Sequence, residues 1–187
     1  VGAVQPTLGA RGVEAAPVDF DGARVPASAV LDDGSAPASR AGDAPAAALG
    51  LARLGLAATA VGLAQAAFEA ALRYSQQRSA FGQAICHHQA IQLKLADMAT
   101  AITAARLLAY DAAERLESGD DLATGLARLQ ACETAGMVTL EAMRIHGGYG
   151  YTTEFPVERY YRDAPGLALG LGGLEAERAA LARRLVV

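Results

Sequence analysis

The chain has no tryptophan, only two cysteines among its 187 residues, and no block of consecutive basic residues. Each shortage excludes something. The formal net charge of -4 comes from interspersed acids and bases, and nothing resembles the lysine- and arginine-rich stripe that neutralises phosphates, so nucleic acid is not an expected partner. Cys86 and Cys132 lie in apolar helical contexts, which favours buried reduced thiols over a disulfide or a nucleophile and suits the cytoplasm. The longest uncharged apolar stretch, Leu54 to Phe68, includes Gln65 and falls short of the roughly 18 residues that suggest a membrane span. The N-terminus lacks the basic, apolar, small-residue order of a signal peptide, so the chain reads as soluble and untargeted. His87 and His88, as helical neighbours about 100° apart, make a poor metal pair, and no cysteine or carboxylate cluster joins them, so no metal is expected.

What is abundant is alanine, leucine and glycine, a composition suited to closely packed helices. The length accommodates one sizeable core and an appendage. Residues 1–31 offer short apolar runs broken by Gly and Pro, including Pro17–Phe20 as a candidate strand with Asp21-Gly22 as its turn. Residues 32–44 are rich in Gly, Ser, Pro and charge and read as a linker between domains. From Pro45 to Arg78 no proline intervenes, and Leu51, Leu54, Val61, Phe68 and Leu72 recur among small residues, which predicts one long helix. Gly50, Gly55 and Gly62 each disfavour that helix by about 1 kcal/mol against Ala, so the glycine face is expected to be buried under a close neighbour.

A second helix is expected over Cys86–Ser118, a third over Leu122–Ile145 capped by the acids of Gly119-Asp120-Asp121, and shorter ones over Pro156–Ala164 and Gly173–Leu185. The expected fold is all-α: an up-down four-helix bundle over 45–187 with extra C-terminal helices, preceded by a short β remnant.

Two blocks carry a more specific signal. Arg78-Ser79-Ala80-Phe81-Gly82-Gln83, His88-Gln89 and Lys94-Leu95-Ala96-Asp97-Met98 resemble the R-x-x-F-G, (F/H)-Q and LADM run of acyl-CoA dehydrogenases. Ile145-His146-Gly147-Gly148-Tyr149-Gly150-Tyr151, then Glu154, Pro156–Arg159 and Arg162-Asp163-Ala164, resemble the same family's GGxGY, E-x-PVER and RDA block. Thr7-Leu8-Gly9 and Arg24-Val25-Pro26 are similar to the end of its β domain, so the resemblance covers essentially the whole chain. It implies FAD as cofactor, an acyl-CoA thioester as substrate and an electron-transfer flavoprotein as partner. By the same resemblance Arg78, Phe81 and Gln89 serve the flavin of a neighbouring subunit, and Gly147, Gly148 and Gly150 let backbone approach a nucleotide and open the next helix toward it. Read from the residues alone, the glycines are equally a C-cap and turn, and His146 needs no acid-base role. Arg159, Arg162 and Asp163 read as an ion-pair network within the fourth helix.

The family's reaction removes an α-proton from the thioester while flavin accepts hydride from the β-carbon, so it requires a carboxylate. Counting from Arg162-Asp163-Ala164 puts Leu171 at the family's glutamate in its E-G-T-like segment, and the alternative L-E-R-like segment reads Leu51-Ala52-Arg53. Neither Leu171 nor Ala52 can take a proton. Among the nearest acids, Glu175 lies four residues past Leu171, about 6 Å along one helical face, and is the fallback base. Arg144 stands where the family usually has a flavin-contacting glutamine. The pattern resembles the base-lacking subunit of heteromeric bacterial acyl-CoA dehydrogenases, notably those of steroid side-chain degradation, in a hetero-oligomer expected to be a tetramer. A self-sufficient dehydrogenase using Glu175, and a structural helical partner that binds no flavin, are the alternatives.

Overall fold

A computed structural model of the chain describes residues 1–29, 43–116 and 121–186. Three long helices dominate: α1 (Asp43–Gln77), α2 (Gln89–Arg115) and α3 (Asp121–His146), followed by α4 (Val157–Leu169) and α5 (Gly173–Leu185). The all-α fold expected from the sequence is the one observed. The linker reading of 32–44 and the cap at Gly119-Asp120 fall largely outside the described residues.

The core is built from alanine. Ala57, Ala60, Ala64, Ala67 and Ala71 recur at three- and four-residue intervals on one face of α1 and are fully buried. They meet α3, whose Ala127, Ala131, Ala135, Val138 and Ala142 form the matching buried face. Met98, Ile102, Ala105 and Ala112 of α2 complete the layer. The close approach therefore falls on alanines. Of the three glycines expected to be buried, Gly50 is buried, whereas Gly55 and Gly62 are exposed on the opposite side of α1, where an added Cβ would meet nothing, which corrects the expectation for those two. Over Ala48–Gln77, α1 is long and apolar enough to cross a membrane by length and composition. Its alanine stripe packed on α3, and Arg53 drawn inward toward Glu177, make it the central helix of a bundle instead.

The N-terminal segment 1–29 contains no regular strand. Two backbone bonds, Gly2 N–H to the Pro17 carbonyl and Gln5 N–H to the Ala15 carbonyl, both 2.8 Å, pair its extended arms. The segment is fastened to α4 by the RDA motif: the Ala10 N–H donates to Asp163 Oδ1 at 2.6 Å and Arg162 Nη1 donates to the Leu8 carbonyl at 3.0 Å. Arg162 also grips Glu158 within α4 (2.7 Å), so only part of the expected intrahelical network exists. Asp163 faces outward to another segment, and Arg159 lies over the Tyr160 ring.

α4 runs through Pro165 to Leu169, five residues beyond the Ala164 end that the proline predicts. Its C-terminal end is held by Arg128 of α3, the largest fully buried side chain. Arg128 Nη2 donates to the carbonyls of Gly170 and, at 3.5 Å, Ala168. Its Nη1 meets Glu177 Oε2 of α5 at 2.6 Å, and Arg53 Nε of α1 reaches the same carboxylate at 3.1–3.2 Å. Gly125 leaves room for this carboxylate, since a Cβ there would come within 2.8 Å of Glu177 Oε1. One buried cluster thus joins α1, α3, α4 and α5.

Removing one partner of a buried pair leaves an uncompensated charge, and Glu177→Ala should lower the unfolding free energy by about 3–5 kcal/mol. The urea midpoint reads that loss; combining Glu177→Leu with Arg128→Met should recover only part of it, because the Arg128 charge is removed but Arg53 and the Ala168 and Gly170 carbonyls each lose a partner.

Candidate functional site

Between the end of α1 and the end of α3 lies a cleft of about 460 Å³ lined by Tyr74, Arg78, Ile85, Ile145, His146, Gly147, Gly148, Tyr149 and Thr152. One wall is the C-terminal turn of α1. The Arg78 N–H still donates to the Tyr74 carbonyl, while the Arg78 carbonyl accepts from Ile85 N–H at 2.8 Å and so closes a small hairpin, β1 (Ser79–Ala80) and β2 (Gln83–Ala84). Its two-residue loop has positive φ at both Phe81 (+53°) and Gly82 (+82°), the geometry of a type I′ turn. Phe81 at the tip is 97% exposed.

The other wall is the last turn of α3. His146 is buried, its ring stacked on Tyr74 at 4.2 Å and tilted against Phe155. Nδ1 carries the proton and donates to the Ala142 carbonyl at 2.8 Å, which leaves Nε2 as a buried acceptor without a partner among the described residues. Burial pushes the imidazole below its usual pKa, outweighing that backbone bond, so the ring is neutral. Gly147 (φ +61°) ends α3, and the chain continues as a single 3₁₀ turn, Gly147–Tyr151. Gly150 passes so close over α3 that a Cβ would strike the Met143 carbonyl. The glycines therefore open a tight turn; α4 begins only at Val157, contrary to the expectation that they open a helix directly onto a ligand.

A helix C-terminus presents carbonyls and a negative dipole end, so attraction for an anion must come from elsewhere. Arg78 supplies it. Its side chain is exposed at the cleft, and among the described residues nothing pairs with the guanidinium. Arg78 flanked by the open backbone of Gly147 and Gly148 fits the diphosphate of a dinucleotide.

The structure brings Arg78, Gly147 and Gly148 together, and sets the other candidates apart. Phe81 stands at the hairpin tip and Gln89 at the exposed first turn of α2, both outside the cleft lining. Arg144 points away and bonds Glu141 at 2.5 Å. Burial would raise the Glu141 pKa, but hydrogen bonds from Lys94 and Arg144 hold it below the usual range. The Tyr74–His146–Phe155 stack was not anticipated, although Tyr74 one turn before Arg78 was the available signal.

Leu171 and Ala52, the two positions at which the resemblance places the base, lie in one neighbourhood. Leu171 sits in the turn Gly170–Gly172, where Leu56 of α1 borders Gly170; Ala52 is one turn before Leu56 and adjacent to Arg53, which is tied to Glu177. Leu171 has left-handed backbone (φ +52°), followed by Gly172 and Gly173 at +87° and +83°. It therefore precedes α5 and shares no helical face with Glu175, which corrects the four-residue relation read from the sequence. Glu175 is 89% exposed and bonded to Arg178, which also binds Glu133. Glu177 is the acid that turns inward, and it is engaged by Arg128 and Arg53. Among the described residues no group of three or more His, Cys, Asp or Glu could hold a metal ion.

Comparison with known proteins assigns this architecture. Residues 43–186 match the family model "Acyl-CoA dehydrogenase, C-terminal domain". Over its whole length the chain is 36% identical to the cyclohexane-1-carbonyl-CoA dehydrogenase of Geobacter metallireducens, of which it covers 48%. A glutaryl-coenzyme A dehydrogenase in complex with glutaryl-CoA superposes over all of the chain and 47% of its own, at 33% identity and a TM-score of 0.87. A steroid ACAD superposes over 73% of the chain and 38% of its own, at 31% identity and a TM-score of 0.70. The chain spans about half the length of the curated relatives that match it from end to end.

Because His146 is held neutral, its contribution to stability is complete above the usual histidine pKa of about 6.5 and is lost as pH falls from there through the depressed folded value, since the unfolded chain then takes up the proton first. The thermal stability of the native chain should therefore fall as pH drops below about 6.5, and that part of the pH dependence should vanish in His146→Phe.

Proposed function

The chain belongs to the acyl-CoA dehydrogenase family through its C-terminal domain, and on that premise we propose that it is a subunit of an FAD-dependent acyl-CoA dehydrogenase that contributes half a flavin site and no catalytic base. Family members are FAD flavoproteins. The observation that carries the reading is the pair of apolar residues, Leu171 and Ala52, at both places where the family keeps its carboxylate, in one neighbourhood of the fold. Nearby acids do not replace it. Glu175 is solvated and bonded to Arg178, and the Glu177 carboxylate is already engaged by Arg128 and Arg53.

FAD supplies the hydride acceptor for the β-carbon of the thioester. This chain's own part is binding and orientation. Arg78 offers paired donors to a diphosphate, Gly147 and Gly148 let the backbone come close, and Phe81 and Gln89 project where a neighbouring subunit can use them. The proton is taken in a homologous subunit that keeps its glutamate. The likeness to a steroid ACAD supports a steroid-derived acyl-CoA as substrate, and the likeness to a structure described as an electron transferring flavoprotein supports such a protein as electron acceptor; the hetero-oligomer, a tetramer, follows from the motif resemblance alone. The unpaired thiols of Cys86 and Cys132 support a cytoplasmic location.

Co-expression with such a homologous subunit tests this. A yellow, active heteromer is expected. Arg78→Ala should weaken FAD binding roughly 10- to 100-fold, the factor for losing charge-assisted hydrogen bonds, and Glu175→Gln should leave turnover unchanged. A colourless complex, or turnover abolished by Glu175→Gln, would overturn the reading in favour of a structural partner or a self-sufficient enzyme respectively.

A further inference from the structure

The β1–β2 hairpin has two residues per strand, and a hairpin of that size does not hold its shape unaided. Yet it keeps Phe81 in left-handed backbone and 97% exposed, two features that each favour rearrangement. Beyond the Ile85 N–H to Arg78 carbonyl bond at its base, the hairpin is braced by His88, the N-cap residue of α2. One ring nitrogen, Nε2, lies 3.1 Å from the Ala80 carbonyl, and the other, Nδ1, lies 3.2 Å from Gln83 Nε2. A carbonyl only accepts and an amide nitrogen only donates, so both contacts are satisfied by a single neutral tautomer with its proton on Nε2. The ring edge also meets Phe81, with centroids 6.1 Å apart and planes at 83°.

The His88 ring does not line the cleft; the residue meets it only through its N–H, which donates to the carbonyl of the lining residue Ile85 at 3.1 Å. It does tie together three otherwise separate positions. Arg78 stands at the base of the hairpin, Phe81 at its tip, and Gln89 follows His88 directly at the start of α2. We propose that His88 is a positioning residue, a tautomer-locked latch that fixes Phe81 and Arg78 relative to Gln89 so that the three act as one unit on a flavin held by a neighbouring subunit. The proposal rests on the half-site reading given above. Its new content is that the hairpin's geometry is set from outside the hairpin, by both nitrogens of one imidazole.

The test uses the heteromer with FAD bound. His88→Phe preserves the aromatic contact and removes both hydrogen bonds; Gln83→Ala removes one and leaves α2 untouched. Expected for His88→Phe are faster amide exchange across residues 79–85 and FAD release accelerated about tenfold, the factor for one to two neutral hydrogen bonds, with subunit association unchanged. Gln83→Ala should move both readouts in the same direction by a smaller factor, about threefold. Unchanged FAD release in both variants overturns the latch, whether or not exchange accelerates, because a merely structural role would alter exchange alone. Phe81→Ala separates the two levels of the argument. If it leaves FAD release unchanged, the half-site reading fails; if it accelerates release while the His88 and Gln83 variants do not, only the latch fails.

Discussion

Everything in this fold follows from α1 and α3 meeting through alanine. A methyl group buries little apolar surface, worth roughly 0.8 kcal/mol per carbon, so an alanine seam brings two helix axes close without specifying much else. The larger apolar residues are sparse in the core, where Met98, Ile102, Val138 and Val157 are the main fully buried ones. Orientation is then supplied by polar pins. Lys94 of α2 binds Glu141 of α3, Asp163 of α4 binds the Ala10 amide, and Arg128 joins α3 to the α4–α5 turn. It is consistent with this division of labour that the largest fully buried side chain is an arginine.

The Arg128 cluster matters most where the chemistry would be. Left-handed backbone at a non-glycine residue costs roughly 1–2 kcal/mol, and Leu171 adopts it although glycines stand on both sides. The turn persists because the carbonyls of Ala168 and Gly170 are fastened to a guanidinium that is itself fixed by Glu177. Its shape is therefore independent of the residue at position 171. On the half-site reading, a leucine there can take the backbone that a carboxylate would, and the subunit keeps its fold without the base.

Much of this was legible in the sequence, and what was not has identifiable physical causes. Helix existence came through because apolar periodicity over more than twenty residues is strong; helix ends did not, because they depend on partners. Pro165 predicts an end that Arg128 overrides from α3, 40 residues away from Ala168. Gly50 is buried as expected, but Gly55 and Gly62 were misread because propensity says what a glycine costs and not which side the neighbour takes, and the alanines took it. The hairpin at Ser79–Ala84 is too short for any period to show. At the site, motif spacing carried Arg78, Gly147 and Gly148 to one cleft, yet it could not show that Arg144 is spent on Glu141 or that Asp163 reaches a residue 153 positions away. Glu177 was visible as an acid on an otherwise apolar face with Leu174 and Leu181, and Arg128 as a cation among Ala127, Ala131 and Cys132; their pairing required the fold.

The two halves of the site differ in a way that bears on mechanism. Around the cleft the groups left without partners among the described residues are an exposed cation, Arg78, and the His146 Nε2, which can only accept. Around Leu171 and Ala52 the acids among the described residues are already engaged, Glu177 by Arg128 and Arg53, and Glu175 by Arg178. Binding an anion needs an unmatched cation, and abstracting a proton needs an unmatched base. The first requirement is met on the outward-facing side, next to a hairpin that projects a bare phenylalanine; the second is met nowhere among the described residues near the turn. On the half-site reading this asymmetry is the expected one: free charge is retained where another subunit's cofactor can be reached, and is neutralised where a base would otherwise act.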